Sequence, residues 1–263
     1  MHIAARRKIA VVIPVNNEAE NIAALLTEIR GAMGALDYEI VCVDDGSTDA
    51  TAALLTEALR DSSDLRCVRH RAACGQSAAI ITGVRTAQAD WIATIDGDGQ
   101  NDPLDIPAMF AEAIKHDRPG IPVLIAGHRA KRKDSRLKRI SSRIANTVRA
   151  RILRDATPDT GCGLKLFRRE VFLDLPQFDH MHRFLPALFM RAGGIVVSHP
   201  VRHRKRQAGV SHYGTLDRLW VGLADLAGVA WLQRRWRRPE IEFSGGQPRG
   251  VSADALRPLE ITQ

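Results

Sequence analysis

The amino-acid sequence predicts an α/β fold with a mostly parallel, doubly wound sheet and helices on both faces. Three observations carry this expectation. Apolar runs of strand length alternate with stretches of helical periodicity, as they do in chains that build β-α units. The runs are continuous rather than alternating, which marks strands covered on both faces. Acidic residues cap the ends of three of them, and open α/β sheets bind ligands outside the carboxyl ends of their strands.

Taken in order, Ile9 to Val15 (IAVVIPV) is the first expected strand, ending at Asn16-Asn17-Glu18. Ile22, Leu25, Leu26 and Ile29 then recur at helical spacing, with Glu18 and Glu20 where a helix dipole favours acids. Tyr38 to Val43 is a second strand, tipped by Asp44, Asp45 and Gly46, and Ser47-Thr48-Asp49 supplies a helix N-cap ahead of Ala52 to Leu59. Leu65 to Arg69 is a third strand and Gln76 to Ala87 a third helix. Trp91 to Ile95 is the fourth strand, followed by Asp96-Gly97-Asp98-Gly99-Gln100, and Asn101-Asp102-Pro103 opens the next helix with proline at its first position.

The second half is less regular. Ile121 to Ala126 reads as a strand ending at Gly127-His128-Arg129, and a basic helix is expected from about Arg136 to Leu153. The small-residue loop Asp159-Thr160-Gly161-Cys162-Gly163 leads into a strand at Leu164 to Phe167. His182 to Arg191 reads as a helix, Ile195 to His199 as a strand and Val201 to Tyr213 as a basic loop. A helix from Leu216 to Arg238 closes the pattern, giving a main domain over 8–215, an amphipathic helix over 216–238 and a flexible tail over 239–263.

The chain has 263 residues, 45% of them hydrophobic, enough for one large domain with a core. Its formal charge of +8 is local: Arg129 to Arg154 holds eleven Lys/Arg against Asp134 alone, a net of +10, so the remainder sums to −2. Such a segment suits a phosphorylated ligand, a membrane surface or nucleic acid, or is a solvated helix face. Acids lining the sheet edge repel a nucleic-acid backbone, so no nucleic-acid partner is expected. Cys42, Cys67, Cys74 and Cys162 show no paired metal-finger spacing and read as thiols of a reducing cytoplasm. No signal region opens the sequence, and no apolar stretch reaches the roughly 18 residues of a spanning helix. The expected place is therefore the cytoplasm or the inner face of the cell membrane. The histidines lack metal-binding spacing, and dinucleotide and P-loop glycine patterns are missing, so zinc, dehydrogenase and P-loop readings fall away.

The chemistry centres on Asp96 and Asp98. Alternating Asp-Gly-Asp-Gly lets the backbone turn so that both carboxylates converge at a strand tip. Mg²⁺ is commonly held by one or two carboxylates together with substrate phosphates, so a divalent cation on a phosphorylated ligand is the natural tenant.

Six segments in register resemble glycosyltransferase family 2, and most closely its bacterial polyprenyl-phosphate branch, of the dolichyl-phosphate mannosyltransferase type. They are Ile13 to Ile22, Val43 to Asp49, Asp96 to Pro103, Asp159 to Gly163, His182 to Pro186 and Arg206 to Ser211. The resemblance implies a GT-A fold and an inverting transfer of sugar from a UDP- or GDP-linked donor to a polyprenyl phosphate. It places Pro14, Asn16, Glu18, Val43, Asp45, Gly97 and Gln100 on the donor nucleotide, and Asp96 and Asp98, with Gln100 nearby, on Mg²⁺ or Mn²⁺. Arg129, Lys138 and Ser142 fall where the family binds the acceptor phosphate, and Arg206 where a loop covers the donor phosphates. Asp96, Asp98, Arg129 and Arg206 are thus the expected catalytic set. Two positions depart from the pattern: Asn16 replaces a frequent aromatic, and His212 replaces a frequent lysine after Gly-x-Ser.

A phosphate monoester has a second pKa near ~6 and needs no strong base, so basic residues need only collect and orient it. A family 2 enzyme acting on a hydroxyl is the alternative; it needs a carboxylate base, for which Asp159 is the candidate. The last helix carries Leu216, Leu219, Trp220, Leu223, Leu226, Ala227, Ala230 and Trp231 ahead of Arg234, Arg235, Arg237 and Arg238. That pattern suits either an anionic membrane interface or the protein core.

Overall fold

A computed structural model of the chain describes residues 8–60, 62–129, 149, 151–155, 157–204 and 215–235. Seven strands form one sheet: β1 (Ile9–Val15), β2 (Tyr38–Asp44), β3 (Leu65–Arg69), β4 (Trp91–Thr94), β5 (Val123–Arg129), β6 (Lys165–Arg168) and β7 (Ile195–Val201). Their order is β3-β2-β1-β4-β6-β5-β7. β6 runs antiparallel to both neighbours, β4 and β5, and all other pairs are parallel. The helices are α1 (Ile22–Met33), α2 (Thr51–Arg60), α3 (Gln76–Thr86), α4 (Ile106–His116), α5 (Arg169–Leu173), α6 (Leu185–Arg191) and α7 (Thr215–Arg234).

Period-two alternation divides each central strand between two cores. Ile9, Val11, Ile13 and Val15 of β1 join the layer that holds α1, α2 and α4, whereas Ala10 and Val12 face α3, α5 and α6. Gly83 lets α3 lie close on the sheet, since a Cβ there would stand 2.4 Å from Val12 Cγ1. On the same face Phe167 stacks on Phe172 with ring centroids 5.0 Å apart.

The first four expected strands and the helices between them match the sequence reading within one or two residues. The second half needs adjustment. β5 begins and ends later than expected, at Val123 and Arg129, so Arg129 is part of the strand rather than of the loop after it. The helix expected from His182 is broken into a 3₁₀ turn, Met181–Arg183, and α6, because Pro186 stands best in a first turn. β7 is an edge strand and can therefore hold Pro200, which has no N–H for a further ladder. The basic helix expected over 136–153 lies largely outside the described residues, as do Lys138, Ser142, Arg206 and the tail.

α7 divides its apolar residues between the core and the outside. Val229 is buried and Leu226 and Ala230 pack beside it on the α3/α6 core. Leu223 (48% exposed) and Trp231 (58% exposed) face outward, eight residues and a little over two turns apart. No described helix is long and apolar enough to cross a membrane.

Candidate active site

The carboxyl ends of β1, β2 and β4 meet at one edge of the sheet, held in step by main-chain hydrogen bonds. Asp45 N donates to Val15 O at 2.8 Å and Ile95 N to Val12 O at 3.1 Å. Each strand therefore ends beside the next, and the residues after it leave the sheet together.

At the β2 tip, Asp45 is buried and its carboxylate is held from three sides. Cys74 N and His70 Nδ1 meet Oδ1 at 2.8 and 2.7 Å, and Gly75 N donates to Oδ2 at 2.7 Å. His70 Nε2 is in turn 2.9 Å from Thr82 Oγ1. Asp45, His70 and Cys74 bring possible metal ligands together. The 2.7 Å contact is, however, that of a hydrogen bond, closer than two ligands stand around a shared cation. Asp44, by contrast, is structural: it accepts from Ser47 N at 2.8 Å and pairs with Arg69 at 3.2 Å.

At the β1 tip, Asn16 Nδ2 donates to Asp45 O at 2.6 Å, and Glu18 accepts from Asn21 Nδ2 at 2.7 Å. Pro14 pairs in register with Val43, whose side chain is wholly buried. Gly97 presses against this tip: a Cβ there would stand 2.8 Å from Val15 Cγ1 and 3.2 Å from Pro14 O. The β1 and β4 tips can approach this closely only with glycine at 97.

Asp96 and Asp98 follow β4. Gln76, the first residue of α3, donates to Asp96 Oδ1 at 2.8 Å, and Gln100 N donates to Asp98 Oδ1 at 3.1 Å. Burial, reinforced by the neighbouring Asp98, raises the Asp96 pKa to about 6, while Lys165, Arg129 and Gln76 act in the opposite sense. Two carboxylates that repel each other, in an all-oxygen donor set, fit a hard divalent cation. Gly163 lies against Asp96 so tightly that a Cβ would stand 2.2 Å from its carboxyl carbon.

Arg129, at the end of β5, reaches the same place. Its Nε and Nη2 donate to the two oxygens of Asp159 at 2.6 and 2.8 Å, and this partner raises its pKa despite burial. One loop spans the two clusters: a Cβ at Gly161 would stand 3.4 Å from Arg129 Nη2, and one at Gly163 would meet the Asp96 carboxyl group, so the carboxylate and guanidinium clusters adjoin. Asp159, the candidate base for a hydroxyl acceptor, is thus committed to a two-point ion pair.

The structure adds residues that the sequence reading did not single out. Lys165 is buried beneath the Asp159–Gly163 loop, Gln76 supports Asp96, and Ser77 holds His182, which opens one of the six family-like segments, with Oγ 2.7 Å from Nδ1. Arg204 pairs with Glu28 at 2.6 Å and Asp102 at 2.9 Å, and its N donates to Gln100 O at 2.8 Å. Arg202 pairs with Asp105 at 3.0 Å, so the chain after β7 is clamped to the segment that follows Asp98. A cavity of about 390 Å³ lined by Asp117, Arg118, Ile121 and Arg168 lies at the opposite, amino-terminal edge of β4 and β5, away from these carboxylates.

Residues 10–175 match the family described as glycosyl transferase family 2. The chain is 35% identical over 258 residues to dodecaprenyl-phosphate galacturonate synthase of Rhizobium johnstonii, covering 95% of this chain and 74% of that protein. It is 36% identical over 212 residues to undecaprenyl-phosphate 4-deoxy-4-formamido-L-arabinose transferase of Pseudomonas fluorescens, covering 79% of this chain but only 61% of the relative. Among solved structures, glucosyl-3-phosphoglycerate synthase of Mycobacterium tuberculosis in complex with UDP superposes with a TM-score of 0.61 at 19% identity, over 87% of this chain and 80% of that one. The same enzyme with Mn²⁺, UDP-glucose and phosphoglyceric acid gives the same score.

Proposed function

The chain belongs to glycosyltransferase family 2 and has its GT-A fold, and from that premise we propose that it transfers a sugar, with inversion, from a nucleotide-sugar to a polyprenyl phosphate. The observation that carries this reading is the junction of two opposite clusters at one sheet edge. Asp96 and Asp98 suit a cation on the donor diphosphate, and Arg129, within electrostatic reach of Asp96, suits the acceptor phosphate. The names of the relatives, both transferases to or synthases of polyprenyl-phosphate sugars, point the same way.

Asp96 and Asp98 would hold Mg²⁺ or Mn²⁺, with Gln100 beside them. When bound, the cation neutralises charge on the departing nucleoside diphosphate. The protein's own side chains do the positioning. Asp45 presents a fixed carboxylate to the nucleoside, Gln76 orients Asp96, and Asp159 orients Arg129. An oxygen of the acceptor phosphate forms the new bond to the anomeric carbon from the face opposite the diphosphate, and the old carbon–oxygen bond breaks with its electron pair. The phosphate is already largely anionic at neutral pH, so no side chain has to remove a proton. Lys138, Ser142 and Arg206 are proposed partners of the two phosphates.

The outer face of α7 is the proposed membrane contact. Leu223, Ala227 and Trp231 line it, Arg234 and Arg235 follow, and Arg235 stands over the Trp231 ring at 5.8 Å. Apolar side chains beside arginines match an anionic cytoplasmic leaflet. The test of the function is transfer of label from a panel of UDP- and GDP-sugars to undecaprenyl phosphate, read as organic-extractable product. Product that needs both the lipid phosphate and a divalent cation supports the reading. Transfer to a saccharide or lipid hydroxyl instead would replace it.

A further inference from the structure

Lys165 is 3% exposed, in the interior of the sheet. It stands on β6 in register with Thr94 of β4 on one side and Ala126 of β5 on the other. Lysines normally carry their ammonium out to water, and burial pushes this one's pKa down. An apolar side chain between Leu164 and Leu166 would fill the position without that desolvation cost. What the lysine supplies is visible in its contacts. Its Nζ donates to the carbonyl of Thr160 at 3.3 Å and to that of Cys162. Both carbonyls belong to the loop from Asp159 to Gly163.

That loop touches both halves of the site. At its start Asp159 grips Arg129. At its end Gly163 lies against Asp96, and Thr94 Oγ1 donates to Gly163 O at 2.7 Å. Asp96 and Asp159 are also the carboxylates whose charge acts on the buried ammonium.

We propose that Lys165 is a positioning residue shared by the donor and acceptor subsites: its two carbonyl bonds fix the loop that orients Arg129 and abuts Asp96. The inference rests on the donor and acceptor reading given above. It separates two contributions of one side chain. The carbonyl bonds govern the acceptor, whereas the charge opposes a cation at the neighbouring carboxylates.

The experiment compares the wild-type chain with Lys165→Met and Lys165→Arg. Mn²⁺ binding in the presence of UDP, and separately of GDP, is followed by electron paramagnetic resonance, the KM for undecaprenyl phosphate is measured, and melting temperatures are recorded. Lys165→Met removes the two carbonyl bonds, so it should raise the acceptor KM by about tenfold, while Mn²⁺ affinity holds or tightens because a positive charge that opposes the cation is gone. Arginine keeps the charge but not the point-like ammonium, so Lys165→Arg should hold Mn²⁺ affinity within about threefold while the acceptor KM still rises. If Lys165→Met does not fold, Lys165→Arg decides by this split. A lower melting temperature with the acceptor KM unchanged would make Lys165 a fold residue only and overturn the inference. If the wild-type chain binds Mn²⁺ with neither nucleotide, the functional reading itself fails and the inference falls with it.

Discussion

Arg129 and Asp159 face each other in a two-point ion pair, Nε to Oδ2 at 2.6 Å and Nη2 to Oδ1 at 2.8 Å, with both side chains almost buried. A guanidinium held this way keeps its plane and retains other N–H groups with which to meet a phosphate. Asp159→Asn should therefore free the guanidinium without removing it. The expected result is a rise of about tenfold in the KM for lipid phosphate, since a charge-assisted bond contributes ~1.5–3 kcal/mol, with donor KM nearly unchanged. If Asp159 were a base for a hydroxyl acceptor, turnover would collapse at unchanged KM. Steady-state kinetics on both substrates distinguish the two outcomes.

Asp96 sets a pH dependence of unusual sign for an aspartate. Its folded pKa is raised from 3.8 to about 6, so between those values the folded protein holds a proton that the unfolded chain has released. By itself this group makes the cation-free protein less stable as pH rises through that window, and the penalty is complete above pH of about 6. A bound cation reverses the effect, because it favours the ionised carboxylate. The gain in melting temperature on adding Mn²⁺ with nucleotide should thus be large at pH 7.5 and small at pH 5. An equal gain at both would place the cation elsewhere.

The contact between Gly163 and Asp96 predicts a steric effect. A methyl group at 163 would overlap the Asp96 carboxyl group, at 2.2 Å from its carbon, so either the side chain or the loop must move. Gly163→Ala should lower turnover at least about tenfold with a melting-temperature change of only a few degrees, because small misplacements at a reacting site cost up to ~100-fold in rate. Activity retained at the wild-type level would mean that Asp96 need not stand where it does.

On α7, Trp231→Glu changes an exposed residue and Val229→Asp a buried one. The first should weaken binding to phosphatidylglycerol vesicles while leaving the melting temperature nearly unchanged, since exposed substitutions usually fall within ~0.5 kcal/mol. The second should destabilise the fold, because it buries an unpaired carboxylate. Vesicle binding unaltered by Trp231→Glu would refute docking through this face.

Much of the carboxylate-lined sheet edge was legible in the sequence, because there the signals are local. A continuous apolar run followed at once by Asp or Asn, as at Val15-Asn16, Val43-Asp44 and Ile95-Asp96, states both the strand and its functional end. Lys165 was not legible. Period-two alternation between Leu164 and Leu166 reads as a strand face open to water, and only the insertion of antiparallel β6 between β4 and β5 buries it. Gln76 and Arg204 escaped for a similar reason: each acts on a partner brought near by the sheet, Asp96 twenty residues away and Glu28 more distant still. α7 shows the limit of periodicity alone. Its apolar residues fill too much of the helix surface for the sequence to say which stripe meets the core, and packing of Val229 against that core makes the choice.

The central claim is that Asp96 and Asp98 together hold a divalent cation carrying a nucleoside diphosphate, and cation binding measured directly tests it. Electron paramagnetic resonance titration of Mn²⁺ into the wild-type chain with UDP or GDP should show nucleotide-dependent uptake of one ion. Asp98→Asn, which leaves the shape of the site but removes one of the two charges, should abolish that uptake while the protein stays folded. Undiminished, nucleotide-dependent Mn²⁺ binding by Asp98→Asn would contradict the account.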